Sequence, residues 1–260
     1  MRTHIRLFAL LVVLCIGAVA LGQGIYTETN TTVQAAGGQT YAGQSYFMPK
    51  MMKTVTGDQE IIIRLDKQMI YRVNVAEKTY SAMTFEEWEA QMKKASAEMD
   101  TKMADLQKKM ENMPPEQKKM MEQLLGAQMK GKNGQQPKMD VTNTGEKKTI
   151  AGYTATKYVV TQDGKDFLTA WATNDVKGFA SMRKDFEEMS TRLASSAPGA
   201  GSSMVEAMKK IQGYPLEMEM AMGVKTETTK LELKSISSSE FDVPAGFTKV
   251  AMDLNGNTAK

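Results

Sequence analysis

The chain has 260 residues, with 33 Lys+Arg against 30 Asp+Glu. Its one Cys and one His are Cys15 and His4, so residues 23–260 carry neither; that stretch holds no thiol nucleophile, no Ser-His-Asp triad and no Cys/His zinc site. Arg2 and Arg6 lie in the leader, which leaves 31 basic and 30 acidic residues, and a near-neutral chain gives no electrostatic case for nucleic acid binding.

The leader reads as a secretory signal. Arg2, His4 and Arg6 are basic, Leu7 to Leu21 is apolar, and Ala20 and Gly22 are the small residues of a cleavage site. Residues 1–22 are therefore expected to be a signal peptide, and the protein to be periplasmic or secreted. The apolar run is short for a span of about 20 residues, so no transmembrane span is expected after cleavage.

Residues 23–83 are expected to be strands. Ile61, Ile63 and Leu65 alternate with Glu60, Ile62 and Arg64, and Met69, Tyr71, Val73 and Val75 alternate with Ile70, Arg72 and Asn74. This period of two predicts half-buried antiparallel strands with a hairpin at Asp66-Lys67.

Residues 84–130 change character. Thr84 and Glu87 have the spacing of a capping box. Phe85, Trp88, Met92, Ala95, Met99, Met103, Leu106, Met110 and Met113 then recur every three or four residues. That predicts one amphipathic helix, roughly 45 Å long if unbroken. Pro114-Pro115 ends it, and a second helix is expected from there, with Met120, Met121, Leu124, Leu125 and Met129 on one side. Residues 130–138 read as a polar linker.

Strands are expected again over 139–173, with a hairpin at Asp163-Gly164. The run from Phe167 to Thr173 is apolar on both sides. A third helix is expected from about Gly178 to Ala194, a flexible loop at 195–203 and a short helix at 204–212. Two strands follow, Leu216 to Met222 and Lys230 to Lys234, and 251–260 is a polar tail. Strands, helices, strands, helices, strands argue for α+β with a largely antiparallel sheet.

Methionine is abundant, at 23 residues. At helical spacing such a stripe is ordinarily core; the sharper readings are an adaptable apolar groove or thioether capture of a soft metal. Metal is set aside because His and Cys are missing. The copper candidates on that reading are Met48, Met51 and Met52, or Met218, Met220 and Met222, the latter expected to share one side of a strand. Ser181 and Lys184 match S-x-x-K, but no K-T-G occurs and both are read as a solvated helix face. No Walker A, G-x-G-x-x-G, EF-hand or HExxH pattern is present. No catalytic residue, metal or cofactor is assigned.

The segments KTYSAMTFEEWEAQMKK (78–94), ENMPPEQKKMMEQLL (111–125), GEKKTIAGYTATKY (145–158), GYPLEMEM (213–220) and SSEFDVPAGFTKV (238–250) together resemble a bacterial family of exported proteins, domain of unknown function 4412. That family supplies no activity to carry over. The ending, with Pro244, Gly246 and Phe247, and the order of sheet, helices and sheet also resemble the periplasmic lipoprotein carriers. Their likeness implies a curled antiparallel half-barrel with helices on the concave side, over residues 23–250; the long Met-rich helical hairpin expected at 84–130 departs from the carriers and is read as an insert between early strands. The function expected is non-catalytic binding of a lipid or acyl ligand, with Tyr71, Trp88, Met92, Trp171, Met218, Met220 and Met222 as candidate contacts. The alternative is an envelope protein partner held by the hairpin.

Overall fold

The computed structural model describes residues 21–111, 113–114, 137–194 and 201–252. Twelve strands make one open sheet. The first six are β1 (Leu21–Val33), β2 (Gln39–Met48), β3 (Met51–Thr56), β4 (Gln59–Arg64), β5 (Met69–Asn74) and β6 (Thr79–Thr84). The others are β7 (Met139–Ile150), β8 (Tyr153–Gln162), β9 (Lys165–Thr173), β10 (Tyr214–Met220), β11 (Val224–Ser237) and β12 (Thr248–Lys249). Their spatial order is β12-β6-β5-β4-β3-β2-β1-β11-β10-β9-β8-β7.

Two meanders meet in the middle. Strands β1 to β6 run outward to one edge; β7 to β11 run inward from the other. They join where β11 pairs with β1 over its whole length, from Leu21↔Ser237 to Val33↔Val224. All neighbours are antiparallel except β12 and β6. Twist of roughly 20° per strand pair accumulates across such a width, and sheets of more than about ten strands curl.

Register assigns the faces, because directly paired residues share a side and their chain neighbours take the other. One row runs Leu233–Ile25–Phe47–Met52–Ile63–Ile70–Met83. It packs under the helices α1 (Phe85–Glu111) and α2 (Phe179–Ala194), through Phe85, Phe179, Met182, Phe186 and Met189. A third helix, α3 (Gly201–Lys210), covers Tyr158, Val160, Leu168 and Ala170 with Ala207 and its following residue Ile211.

The adjacent row, Tyr46–Lys53–Ile62–Tyr71, faces the other way. The chain's own C-terminal segment covers it. A 3-10 turn at Ser238–Phe241, with Ser237 Oγ accepting from Ser239 N, sinks Phe241 among Ile62, Val73 and Ile236. Buried Arg64 then ties that segment down. It forks onto Asp66 at 2.9 and 2.7 Å and reaches Asp242 at 2.8 Å.

This coverage corrects the expected half-buried strands. In β4 both Ile62 and Ile63 are buried, while Ile61 is 40% exposed. Both sides of the strand are occupied at its C-terminal end, so alternation of letters there does not mean alternation of burial.

The first helix opens on its capping box: Thr84 N donates to Glu87 Oε2 at 2.7 Å and Glu87 N to Thr84 Oγ1 at 3.0 Å. Its first turns hold it to the body through Phe85 and through Trp88, whose Nε1 donates to Leu193 O at 3.3 Å. Further along, Met99 is 52% exposed whereas Met110 is buried. The helix expected from Pro115 lies outside the described residues, as do the signal segment to residue 20 and the tail from residue 253.

The turns follow their chemistry. Asp163 and Gly164 both take positive φ, 50° and 77°, as a two-residue hairpin requires. At the Asp66-Lys67 hairpin, Gln68 takes the left-handed position (φ 56°) that a glycine would normally fill.

Candidate functional site

A pocket of about 460 Å³ lies between the middle of the sheet and the pair α2 and α3. Its sheet side comes from β1, β2, β10 and β11, around the seam where the two meanders join, with Met52 from β3.

Four aromatic rings close one wall. Phe47 and Phe186 have centroids 5.0 Å apart, Phe186 and Phe179 6.1 Å, Phe179 and Tyr214 5.2 Å, and Tyr214 and Phe47 6.3 Å. The ring of contacts is tilted or edge-on throughout, the favoured arrangement for aromatic quadrupoles. Methionines line other parts: Met52 from β3, Met204 and Met208 one turn apart on α3, and Met218 from β10. They give a soft, polarizable surface that adapts to what touches it.

The floor is different. On this side of the sheet Ser45 pairs with Thr27, Thr29 with Thr228, and Thr31 with Thr226. Where neighbouring rows carry Ile, Phe, Leu and Met, these three cross-strand pairs are small and hydroxylated. Gly43, opposite Thr29, keeps the space open: a Cβ there would lie 3.0 Å from Thr29 Oγ1. The pocket exists because its floor is short.

Only one of those pairs bonds to itself, Thr31 Oγ1 to Thr226 Oγ1 at 3.0 Å. The hydroxyls of Ser45, Thr29 and Thr228 make no hydrogen bond among the described residues. Thr27 Oγ1 is buried beside the Tyr214 hydroxyl without a well-aligned partner. Burial pushes the Tyr214 phenol up to about 12, the Thr27 hydroxyl acting weakly in the opposite direction.

The rim is charged but compensated. Arg183 Nε donates to Glu187 at 2.8 Å, and its Nη2 donates to the carbonyls of Lys209 at 2.7 Å and Ile211 at 3.2 Å. One side chain thus fastens the end of α3 to α2 and satisfies carbonyls at that helix end. Lys209 is paired with Glu206 at 2.6 Å. Gly213 turns the chain from α3 into β10 with φ 92°, where a Cβ would lie 2.2 Å from Thr173 O.

Of the residues expected at a ligand site, the structure brings Met218 to the pocket. Tyr71 lies on the opposite face, in the cluster around Phe241. Trp171 pairs with Glu217, whereas Met218 pairs with Ala170, so the tryptophan is across the sheet from the methionine. Lys148 Nζ sits 4.3 Å above its ring. Trp88 and Met92 are half-buried on α1, away from the pocket lining. Met220 packs with the cluster under α3. Strand β10 ends at Met220, so Met222 falls in the following turn, 67% exposed, and the three methionines do not share a strand face. The other trio divides as well: Met48 and Met51 pair on the outer side, and Met52 faces the pocket.

The residues that sequence reasoning missed are the floor hydroxyls and the aromatic wall. A signal was present: threonine at every second position in Thr27, Thr29, Thr31 and again in Thr226, Thr228 marks one polar stripe per strand.

No curated protein matches the chain. Among solved structures it is similar to PNGF-II, with 10% identity, 90% of this chain and 32% of that one covered, and a TM-score of 0.39. It is also similar to MucB crystallised in complex with MucA(peri), with 11% identity, coverage of 88% and 57%, and a TM-score of 0.38. The Pseudomonas aeruginosa MucA/MucB complex gives 12%, 86% and 56%, and 0.37. The chain therefore spans about a third of the PNGF-II chain and under two thirds of the MucB chains. The family model described as domain of unknown function (DUF4412) matches residues 83–247, well over half of the chain, and the protein belongs to that family.

Proposed function

We propose that this is an exported, non-catalytic binding protein that holds an apolar ligand between the concave side of its curled sheet and the helices α2 and α3. The carrying observation is the pocket itself. It is about 460 Å³, within the range of roughly 300–1,000 Å³ typical of small-molecule sites, and walled by aromatic rings and methionines that leave it unfilled. Burial of each CH₂ contributes about 0.8 kcal/mol, so a chain of several carbons is held without a strong polar anchor. The lack of His and Cys in residues 23–260 supports binding over nucleophilic or zinc chemistry there.

The neutral dye Nile red tests this reading. It should brighten on entering the pocket, and Ser190→Trp, which fills the pocket from α2, should remove that response while leaving the far-ultraviolet spectrum unchanged. A dye response that is absent from the parent, or unaffected by Ser190→Trp, overturns the proposal.

A further inference from the structure

We infer that the ligand is a neutral amphiphile, an apolar chain carrying one uncharged hydrogen-bonding group such as an alcohol, ester or amide, and that this group lies against Ser45, Thr29 and Thr228. The inference rests on the pocket reading above and names the class of molecule it takes.

A purely hydrocarbon ligand does not fit the floor. Thr228 is 4% exposed and lines the pocket, and its hydroxyl has no hydrogen-bond partner among the described residues. Thr29 is its direct cross-strand partner and is equally unpaired through its hydroxyl, and Ser45 stands on β2 two residues from Gly43, which pairs with Thr29. Hydrocarbon laid over three such groups strips them of water and gives nothing back, which weakens binding. A ligand group that replaces the water's hydrogen bonds removes that cost.

An anionic head does not fit either. Each rim cation already has its own carboxylate, Arg183 with Glu187 and Lys209 with Glu206. Arg183 also spends its Nη2 on two carbonyls. Glu217 of β10 is among the lining residues, but its side chain lies with Trp171 across the sheet, where its carboxylate is bound by Lys148 at 2.8 Å and Lys225 at 3.3 Å. A carboxylate entering would be desolvated with no uncompensated cation among the described lining residues to meet it. The floor offers hydroxyls, which donate and accept equally and suit a neutral head.

The test is displacement of Nile red by four probes of one chain length at pH 8: dodecanol, monododecanoylglycerol, dodecane and dodecanoate. The alcohol and the monoglyceride should displace the dye at lower concentration than dodecane or dodecanoate. Thr29→Val and Thr228→Val keep a β-branched side chain of similar shape and should each weaken dodecanol about fivefold, with dodecane unchanged. The inference is overturned if dodecane or dodecanoate binds as tightly as dodecanol, or if folded valine variants bind dodecanol as the parent does. The comparison among probes uses the parent alone and stands even where a variant fails to fold. If the dye does not enter the parent at all, the pocket reading fails; if the dye enters and the probes do not discriminate, this inference alone fails.

Discussion

Phe47 of β2 and Phe186 of α2 meet at a tilt with centroids 5.0 Å apart, and through that contact the central sheet holds the helix that roofs the pocket. Phe47 is buried and also meets Tyr214 edge-on. Phe47→Ala should therefore destabilise the protein by about 3–5 kcal/mol, as large-to-small changes at buried aromatics do. Urea denaturation checks this; a loss below about 1 kcal/mol would mean that α2 is held elsewhere.

Arg183 is the second tie between the helices and is less replaceable than its half-exposed position suggests. Its planar fork serves Glu187 and two carbonyls at once, and lysine cannot reproduce that geometry. Arg183→Lys should speed amide exchange in residues 204–211 without changing exchange in β4 or β5. Equal protection in the two proteins would contradict the tie.

Alkaline pH should weaken the fold through Tyr214. Its phenol is raised to about 12 by burial, against an ordinary value near 10. A raised folded-state value means that the stability it contributes is complete below pH 10 and is lost as pH rises from 10 towards 12. The loss over that window is of order 2–3 kcal/mol. Urea midpoints measured from pH 9 to 12 should fall, and Tyr214→Phe should flatten that fall.

Acid should act at the opposite face. The Arg64 guanidinium, by hydrogen bond and charge, holds the Asp66 carboxyl below its usual range. The depressed value means a contribution present above about pH 4 and lost as pH falls through the lower folded-state value. Arg64→Met should remove this acid-sensitive part and loosen the C-terminal segment that Arg64 holds through Asp242. Exchange protection at Thr248 and Val250, whose amides bond to Lys78 and Tyr80, reports that loosening.

Much of the fold was legible because local chemistry dictated it. Thr84 and Glu87 announced the start of α1, Asp163-Gly164 its hairpin, and Phe179, Met182, Phe186 and Met189 the buried side of α2. Family membership was legible in the ordered segments from residue 78 to 250, and the matched span confirms it. Of the candidate contacts named from the sequence, Met218 alone lines the pocket. Period two separates the faces of a strand but does not say which face a helix will cover, and Tyr71 and Trp171 lie outside the pocket lining. Strands β1 and β2 are rich in Thr, Gln and Gly, which carry little apolar pattern, and their central place depends on pairing with β11 some 200 residues away. The polar floor is built of Ser and Thr, which carry none of the large apolar character that marks the walls.

Native mass spectrometry of the protein purified from its own host, followed by solvent extraction, tests the central claim most directly. The account predicts a stoichiometric adduct that passes into the organic phase as an uncharged amphiphile and is missing from Ser190→Trp. A bare mass together with no uptake of added monoacylglycerol, or an adduct that Ser190→Trp retains, would contradict it.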